Sequence, residues 1–384
     1  MNKTCSIIFF CLCGLVCFAQ KKAANHQFIL EGAVKGAANN EVYFCYIDAW
    51  EKFHIDSTRL NNGHFRLKGL INGPTVAFIS TIKKSLPEED DDIMKTDGKN
   101  STLFFLEPKN IKATLEPADF RNGLFTGSFS QAEYAEYTRQ LNRIADRFKA
   151  QNDSLQALTS MDKAQKEEAR MRLVLVRSIA ESEMLHHFFT THPRSYVTAY
   201  LVSIFHFKLD SLNLFYHRLP LPVKLSAYGK EIKEKIEKKE LVTIGKTAPP
   251  FKQATSTGDS IALRDFKGKY VLLQYWSSTN GNSRADNRAL IPVYNRFKDK
   301  NFTILGISLD GQKTKGVWEA AIEKDQLPWT QLAALKSNHN QAVLKYDVQS
   351  IPANFLISPN GKILAADLKP EQLNQALTKI FLSN

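Results

Sequence analysis

The spacing of apolar residues changes twice along the chain, and the changes divide it into three parts. Between residues 26 and 128, short apolar or alternating runs such as Val42 to Ile47 lie between turn residues, which is typical of β-strands. Asn62-Gly63 separates two of these runs and favours the positive backbone angles of a tight hairpin turn. We therefore predict a small β-sandwich-like domain over residues 26–128.

A helical segment is predicted for residues 129–242. Ser130 and Glu133 have the spacing of a capping box at its start. Apolar residues then recur at helical spacing, for example at Leu173 and Val176.

Residues 243–384 alternate strands with helices. Tyr270 to Trp276 is an apolar strand, which a polar loop and a helical pattern follow, and Phe302 to Leu309 is the next strand. Two further strands flank the turn residues Pro359 to Lys362. A βαβ unit followed by a ββα unit predicts a three-layer α/β domain.

The first nineteen residues have the composition of a secretory signal. Lys3 supplies a positive charge, Cys5 to Phe18 is an apolar run, and Ala19 completes a small-residue cleavage site. The run is shorter than the roughly 20 residues that span a bilayer. We expect residues 1–19 to be a signal peptide and the rest of the chain to be exported without a stable membrane span. The expected location is the periplasm or cell envelope of a Gram-negative-type bacterium.

Cysteine content and charge narrow the classes of function. Four of the five cysteines lie in the signal, so the exported chain keeps only Cys45 and can form neither an internal disulfide nor a dithiol cycle. The net charge is +12, but the chain lacks the aromatic and basic repeats of nucleic-acid-binding proteins, so no nucleic-acid partner is expected.

The histidines of the helical segment invite a metal site, which the spacing does not favour. Glu183 and His187 are four residues apart and could share a helix face. The adjacent His186 points about 100° away from His187, so the two rings cannot both bind one ion from that face. We expect no metal and no cofactor.

Five segments of residues 244–384 carry a resemblance to a known family. They read Ile244-Gly245-Lys246-x-Ala248-Pro249-x-Phe251, Leu263-x-x-Phe266-Lys267-Gly268-Lys269-Tyr270-Val271-Leu272-Leu273, Tyr275-Trp276-Ser277-Ser278, Leu305-Gly306-Ile307-Ser308-Leu309-Asp310 and Tyr346-x-Val348-x-x-Ile351-Pro352-x-x-Phe355-Leu356-Ile357. Together they resemble the thioredoxin fold, and within it the envelope TlpA-like branch that is grouped with alkyl hydroperoxide reductase and thiol-specific antioxidant (AhpC/TSA) domains. The β-rich region resembles an uncharacterised module that precedes such domains in some bacterial envelope proteins. The resemblance implies a thiol-disulfide oxidoreductase or antioxidant role in cell redox homeostasis.

The same resemblance places the two redox cysteines of the family at Asn280 and Ser283. In the family the attacking Cys lies at a helix start, where the helix dipole lowers the pKa of the thiol. An Asn amide cannot ionise in this way, and a Ser hydroxyl cannot form a disulfide. Gln274 stands where related thioredoxins often have a carboxylate that moves protons. We therefore predict no catalytic residue and interpret Asn280 and Ser283 as helix N-cap groups.

A peptide-binding groove is the second implication of the resemblance. Ile351-Pro352 matches the cis-proline of the family, whose preceding backbone pairs with a bound peptide. Trp276, Thr279 and Asn280 are predicted to complete the groove.

Three hypotheses of function remain open from the sequence. The first is an exported thioredoxin-fold protein without redox activity that binds an envelope protein or peptide. The second is an oxidoreductase, as the resemblance implies, which would need Cys45 or the thiols of a partner. The third is an assembly component that acts through the N-terminal β domain. Enzymatic activity is not expected under the first hypothesis, and neither the partner nor the oligomeric state follows from the sequence.

Overall fold

The computed structural model describes residues 26–37, 41–83, 96–255, 259–334 and 340–382, and the chain divides after Thr191 into two units. The signal peptide expected at residues 1–19 lies outside these ranges. Across the described ranges, no helix combines the length and the apolar character that crossing a bilayer needs.

The first unit begins with two four-stranded sheets. Its strands are β1 (Gln27–Val34), β2 (Glu41–Ile47), β3 (Phe53–Arg59), β4 (His64–Leu70), β5 (Thr75–Ser80), β6 (Ser101–Leu106), β7 (Asn110–Leu115) and β8 (Leu124–Thr126). The sheet orders are β4-β1-β7-β8 and β3-β2-β5-β6 among the described residues. Phe28 of one sheet and Phe44 and Phe104 of the other share one buried core, as a sandwich requires. The predicted β-rich region is confirmed.

The hairpin between β3 and β4 forms at the predicted turn. Asn61 and His64 exchange two backbone hydrogen bonds, of 2.8 and 3.0 Å, across Asn62-Gly63. Both turn residues have positive φ, 50° and 80°, which is the geometry that Asn-Gly favours.

Two long helices follow in the first unit, α1 (Phe129–Ala157) and α2 (Lys163–Thr191). The N-cap of α1 is Ser128, whose Oγ accepts from the backbone N–H of Gln131 at 3.0 Å. The predicted cap at Ser130 is therefore wrong by two residues. Ser128 has the extended backbone of an N-cap, with φ of −123° and ψ of 132°, whereas Ser130 lies inside the first turn, where Glu107 Oε1 accepts from its N–H at 2.7 Å.

The second unit opens with four helices, α3 (Tyr196–Ile204), α4 (Leu209–Arg218), α5 (Leu221–Lys224) and α6 (Ala227–Leu241). Ile232 and Ile236 form the buried face of α6. These helices lead directly into the α/β domain.

The α/β domain contains a five-stranded sheet of order β13-β12-β11-β14-β15 among the described residues. Its strands are β11 (Tyr270–Trp276), β12 (Phe302–Ser308), β13 (Thr330–Ala333), β14 (Ala353–Ile357) and β15 (Ile363–Ala366), and a small hairpin of β9 (Lys252–Ala254) and β10 (Ser260–Ala262) precedes them. Its helices are α7 (Gly281–Phe297), α8 (Lys315–Lys324), α9 (Gln341–Lys345) and α10 (Pro370–Leu382). Strands β11 to β13 are parallel, and β14 and β15 run antiparallel. This is the thioredoxin-like arrangement.

Two apolar layers cover the faces of this sheet. Leu272 and Trp276 pack with α7 on one face. Leu273 and Tyr275 pack with Tyr346 on the other. The alternation along β11 follows from the two-residue period of a strand.

Candidate functional site

The carboxyl end of the central strand β11 brings three segments together. Trp276 is in register with Ser308 of the parallel β12, and Tyr275 is in register with Ala353 of the antiparallel β14. The loop at 277–280 therefore lies at the same sheet edge as the residues after β12 and before β14. In open α/β sheets this edge is where ligands bind.

Asn280 is the N-cap of α7. Its side-chain Oδ1 accepts from the backbone N–H of Ser283 at 2.8 Å, which satisfies one of the unpaired N–H groups at the helix start. The predicted capping role of Asn280 is confirmed. The resemblance assigns the attacking thiolate of the family to this position, where this chain has an amide engaged in helix capping.

Ser283 does not cap the helix with its side chain. It lies in the first turn of α7 and is fully buried, and its Oγ has no hydrogen-bond partner in the described part of the chain. The capping role predicted for Ser283 is wrong, because its contribution to the cap is its backbone N–H.

A buried polar layer lies between β11 and α7. Gln274 and Asn287 are fully buried, and neither amide has a hydrogen-bond partner within the described ranges. Ser283, Asn287 and Leu290 follow helical spacing and share the buried face of α7. Because its polar groups are amides and a hydroxyl, this layer contains nothing that can give up or store a proton near neutral pH.

Trp276 lies beneath the site instead of lining it. Its side chain is fully buried, and its indole N–H donates to Gln331 Oε1 at 3.1 Å. The sequence predicted that Trp276 would face a bound peptide. The period of the strand directs the indole toward α7, so Trp276 supports the loop from below.

The loop after β11 is fastened by Asp310, which is buried just beyond β12. Asp310 accepts from the backbone N–H of Ser278 at 2.8 Å and from its hydroxyl at 2.7 Å. Ser308 Oγ donates to the same carboxylate at 2.6 Å. The sequence motif that contains Ser308 and Asp310 indicates the fold, but it does not reveal that the Asp310 carboxylate holds the loop.

An ion pair joins the first turn of α7 to the end of α8. Arg284 forms a two-pronged ion pair with Asp325, with N···O distances of 2.7 and 2.8 Å. Arg288 adds a third contact at 3.3 Å. The hydrogen bond from Arg284 holds the pKa of Asp325 below its ordinary value, because the guanidinium favours the charged carboxylate.

The exposed surface of the site is formed by residues that the sequence singled out. Thr279 is exposed, and Asn280, Ile351 and Pro352 are partly exposed. The Ile351-Pro352 peptide bond is cis. By register, Ile351 and Pro352 come to the same sheet edge as the 277–280 loop. The structure thus brings together four of the five predicted groove residues.

Sulfur is absent from this site. The sequence contains no cysteine after Cys45, which lies fully buried in β2 of the first unit. Within the described ranges, no cluster of three or more His, Cys, Asp or Glu side chains could hold a metal ion.

Comparison with known proteins matches two parts of the chain to families. Residues 244–366 match the AhpC/TSA family, and residues 28–134 match a domain of unknown function, DUF4369. The thiol-disulfide oxidoreductase ResA of Bacillus thuringiensis subsp. konkukian is 30% identical over 146 residues, which cover 37% of this chain and 82% of that protein. ResA of Bacillus subtilis is 26% identical over 127 residues, covering 33% and 68% of the two chains.

Among solved structures, the thioredoxin domain of a thiol-disulfide oxidoreductase from Bacteroides vulgatus is 34% identical, with a TM-score of 0.34. That comparison covers 36% of this chain and 98% of the other. Through its C-terminal domain, this chain belongs to the AhpC/TSA family of thioredoxin-like proteins, alongside thiol-disulfide oxidoreductases.

Proposed function

We propose that this protein is an exported member of the family that has lost its dithiol redox site and binds an extended protein or peptide segment in the cell envelope. The observation that carries the proposal is which residues occupy the two positions that the resemblance assigns to the redox cysteines. Asn280 is engaged in capping α7, Ser283 is buried as a hydroxyl, and no other sulfur is present in the domain. Thiol-disulfide exchange needs a thiolate at this place.

The retained surface supports the binding part of the proposal. Thr279, Ile351 and Pro352 offer a small polar and apolar face at the carboxyl end of β11. Asp310 and the Arg284–Asp325 pair hold the surrounding segments in one arrangement. A preorganised face binds with less loss of conformational entropy than a mobile loop does.

The oxidoreductase alternative depends on Cys45. A reactive cysteine is partly exposed and lies in an environment that stabilises its thiolate. Cys45 is fully buried within β2, between strands β3 and β5. This burial favours an inert, space-filling thiol.

One observation favours the third hypothesis, an assembly role for the N-terminal domain. The sheet containing β1, β4 and β7 bears an open concavity of about 620 Å³. Its lining contains the cations Arg59, Arg66 and Lys112 and one carboxylate, that of Glu31, which lies 3.1 Å from Arg66. It offers a second surface for a partner that would be independent of the 277–280 loop.

Binding to a permanently unfolded probe tests the proposal. Reduced, carboxymethylated α-lactalbumin presents an extended chain without free thiols, and its binding to the full protein can be followed by fluorescence anisotropy. Thr279→Glu and Ile351→Glu should each weaken binding about tenfold, because a carboxylate on the face repels the carboxymethyl groups of the probe. The matched control is Asn295→Glu, because Asn295 is exposed further along α7 and away from the loop.

The outcomes separate the two surfaces. Weaker binding by the Thr279 and Ile351 variants, with the Asn295 variant unchanged, supports the groove. Binding that survives both groove variants but is lost with Arg66→Glu would assign it to the N-terminal concavity. Export is tested separately by mass spectrometry of the protein from the envelope fraction, which should find a chain that starts at Gln20.

A further inference from the structure

A small cavity opens at the opposite end of the sheet from the 277–280 loop. It has a volume of about 180 Å³ and lies between the 247–250 segment, the 263–269 segment and the turn at 358–361. Val271 near the start of β11 and Ile357 at the end of β14 form its floor. Since β11 is seven residues long, the cavity is about 20 Å from the loop.

The inner wall of this cavity is apolar. Ala248 and Val271 are buried, Leu263 and Phe266 are half-buried, and all four line it together with Ile357. Phe266 and Leu263 pack against the core cluster that contains Val271. An apolar wall of this kind favours a hydrocarbon group over water.

The rim of the cavity is cationic. Arg264, Lys267 and Lys269 line it and are exposed, and no Asp or Glu is among the lining residues. Arg264 approaches Asp265 only at 3.9 Å. Neither lysine ammonium has a hydrogen bond or ion pair in the described part of the chain.

The turn that carries the lysines is fixed. Gly268 lies between them with φ of +91°, a conformation that a residue with a side chain rarely adopts. Its N–H donates to Pro359 O at 3.0 Å, which ties the lysine turn to the opposite wall. The turn therefore fixes the backbone positions of Lys267 and Lys269 on the rim.

We propose that this cavity binds short aliphatic monocarboxylates, with the hydrocarbon chain inside and the carboxylate between Lys267 and Lys269. A cavity of about 180 Å³ is small, so we choose a short chain of about six carbons for the test. A carboxylate accepts charge-assisted hydrogen bonds from ammonium groups. The absence of carboxylates from the lining removes the repulsion that an anion would otherwise meet.

Isothermal titration calorimetry of the full protein with hexanoate tests this inference. We expect saturable 1:1 binding of hexanoate and none of hexylamine, which has the same chain and the opposite charge. Lys267→Gln combined with Lys269→Gln should weaken hexanoate binding about tenfold, because two charged partners are removed. The matched control neutralises Lys298 and Lys300, which have the same spacing at the exposed end of α7.

The chain-length dependence separates the cavity from a diffuse basic surface. Affinity should rise from butanoate to hexanoate and then level off at decanoate, because the apolar volume is filled. Equal affinity for butanoate and hexanoate, equal loss in the Lys298/Lys300 control, or binding of hexylamine would each overturn the assignment. Thr279→Glu should leave hexanoate binding unchanged, so this result does not depend on the groove.

Discussion

Replacing Asn280 by Ala tests whether the loop after β11 ends in a capped helix start. The change removes the acceptor that lies 2.8 Å from the backbone N–H of Ser283. Loss of a side-chain N-cap costs about 1 kcal/mol of the free energy of unfolding. Asn280→Asp keeps the acceptor and adds a negative charge at the N-terminus of α7, so it should gain about 0.5 kcal/mol.

Ser283→Ala is the informative partner of this variant. The hydroxyl is fully buried and has no partner in the described part of the chain, so its removal should be neutral or stabilise the fold by about 1 kcal/mol. Because the cap bond uses the backbone N–H of Ser283, the two substitutions should add in the double variant to within about 0.5 kcal/mol.

Urea unfolding followed by tryptophan fluorescence measures these changes. Trp276, Trp318 and Trp329 are buried in the thioredoxin-like domain, whereas Trp50 is exposed in the first unit. A Trp50→Phe background therefore confines the signal to the domain of interest, and each transition can be analysed as one step. An Asn280→Ala variant as stable as its parent would refute the capping role, and a large loss in Ser283→Ala would show that the hydroxyl has an essential partner.

Three further predictions concern the ion pair of Asp325, the hydrogen bonds of Asp310 and the buried thiol of Cys45. The hydrogen bond from Arg284 lowers the pKa of Asp325 in the folded chain. The stabilisation from this ion pair is therefore present above the unfolded pKa of about 4 and is lost as the pH falls through the lower folded pKa. The urea midpoint should fall more steeply in acid for the native chain than for Asp325→Asn. Asp310→Ala leaves two donors of Ser278 without their acceptor and should lower the free energy of unfolding by about 3 kcal/mol. Amide hydrogen exchange at Ser278 should accelerate, and unchanged exchange would contradict the role of Asp310 in holding the loop. In a folded chain that lacks residues 1–19, Cys45 should not react with Ellman's reagent, and it should react once urea unfolds the chain. Rapid reaction of the folded chain would contradict the burial of Cys45.

Local patterns sufficed for much of the fold. The strand and helix periods of the apolar residues predicted the β-rich region and the α/β domain, because burial of one face imposes those periods directly. The Asn62-Gly63 turn followed from the backbone preferences of two adjacent residues. Asn280 could be predicted as a cap for the same reason, since capping acts over three residues.

Contacts between residues distant in sequence account for what the sequence left undetermined. The carboxylate that holds Ser278 comes from 32 residues away, and the partner of Arg284 comes from 41 residues away. At the start of α1, Glu107 accepts from the backbone N–H of Ser130 across 23 residues, a contact that local spacing does not reveal. Trp276 was assigned to the groove from the resemblance, whereas its position in β11 directs its side chain into the buried layer that contains α7.

Insulin reduction driven by dithiothreitol tests the central claim, which is that the thioredoxin-like domain performs no thiol-disulfide exchange. The matched positive control is the double variant Asn280→Cys and Ser283→Cys, which places sulfur at the two positions that the resemblance assigns to the redox cysteines. We expect the full exported chain to give the rate of dithiothreitol alone and the double variant to exceed it. A native chain that accelerates insulin reduction, and still does so after Cys45→Ser, would contradict the claim.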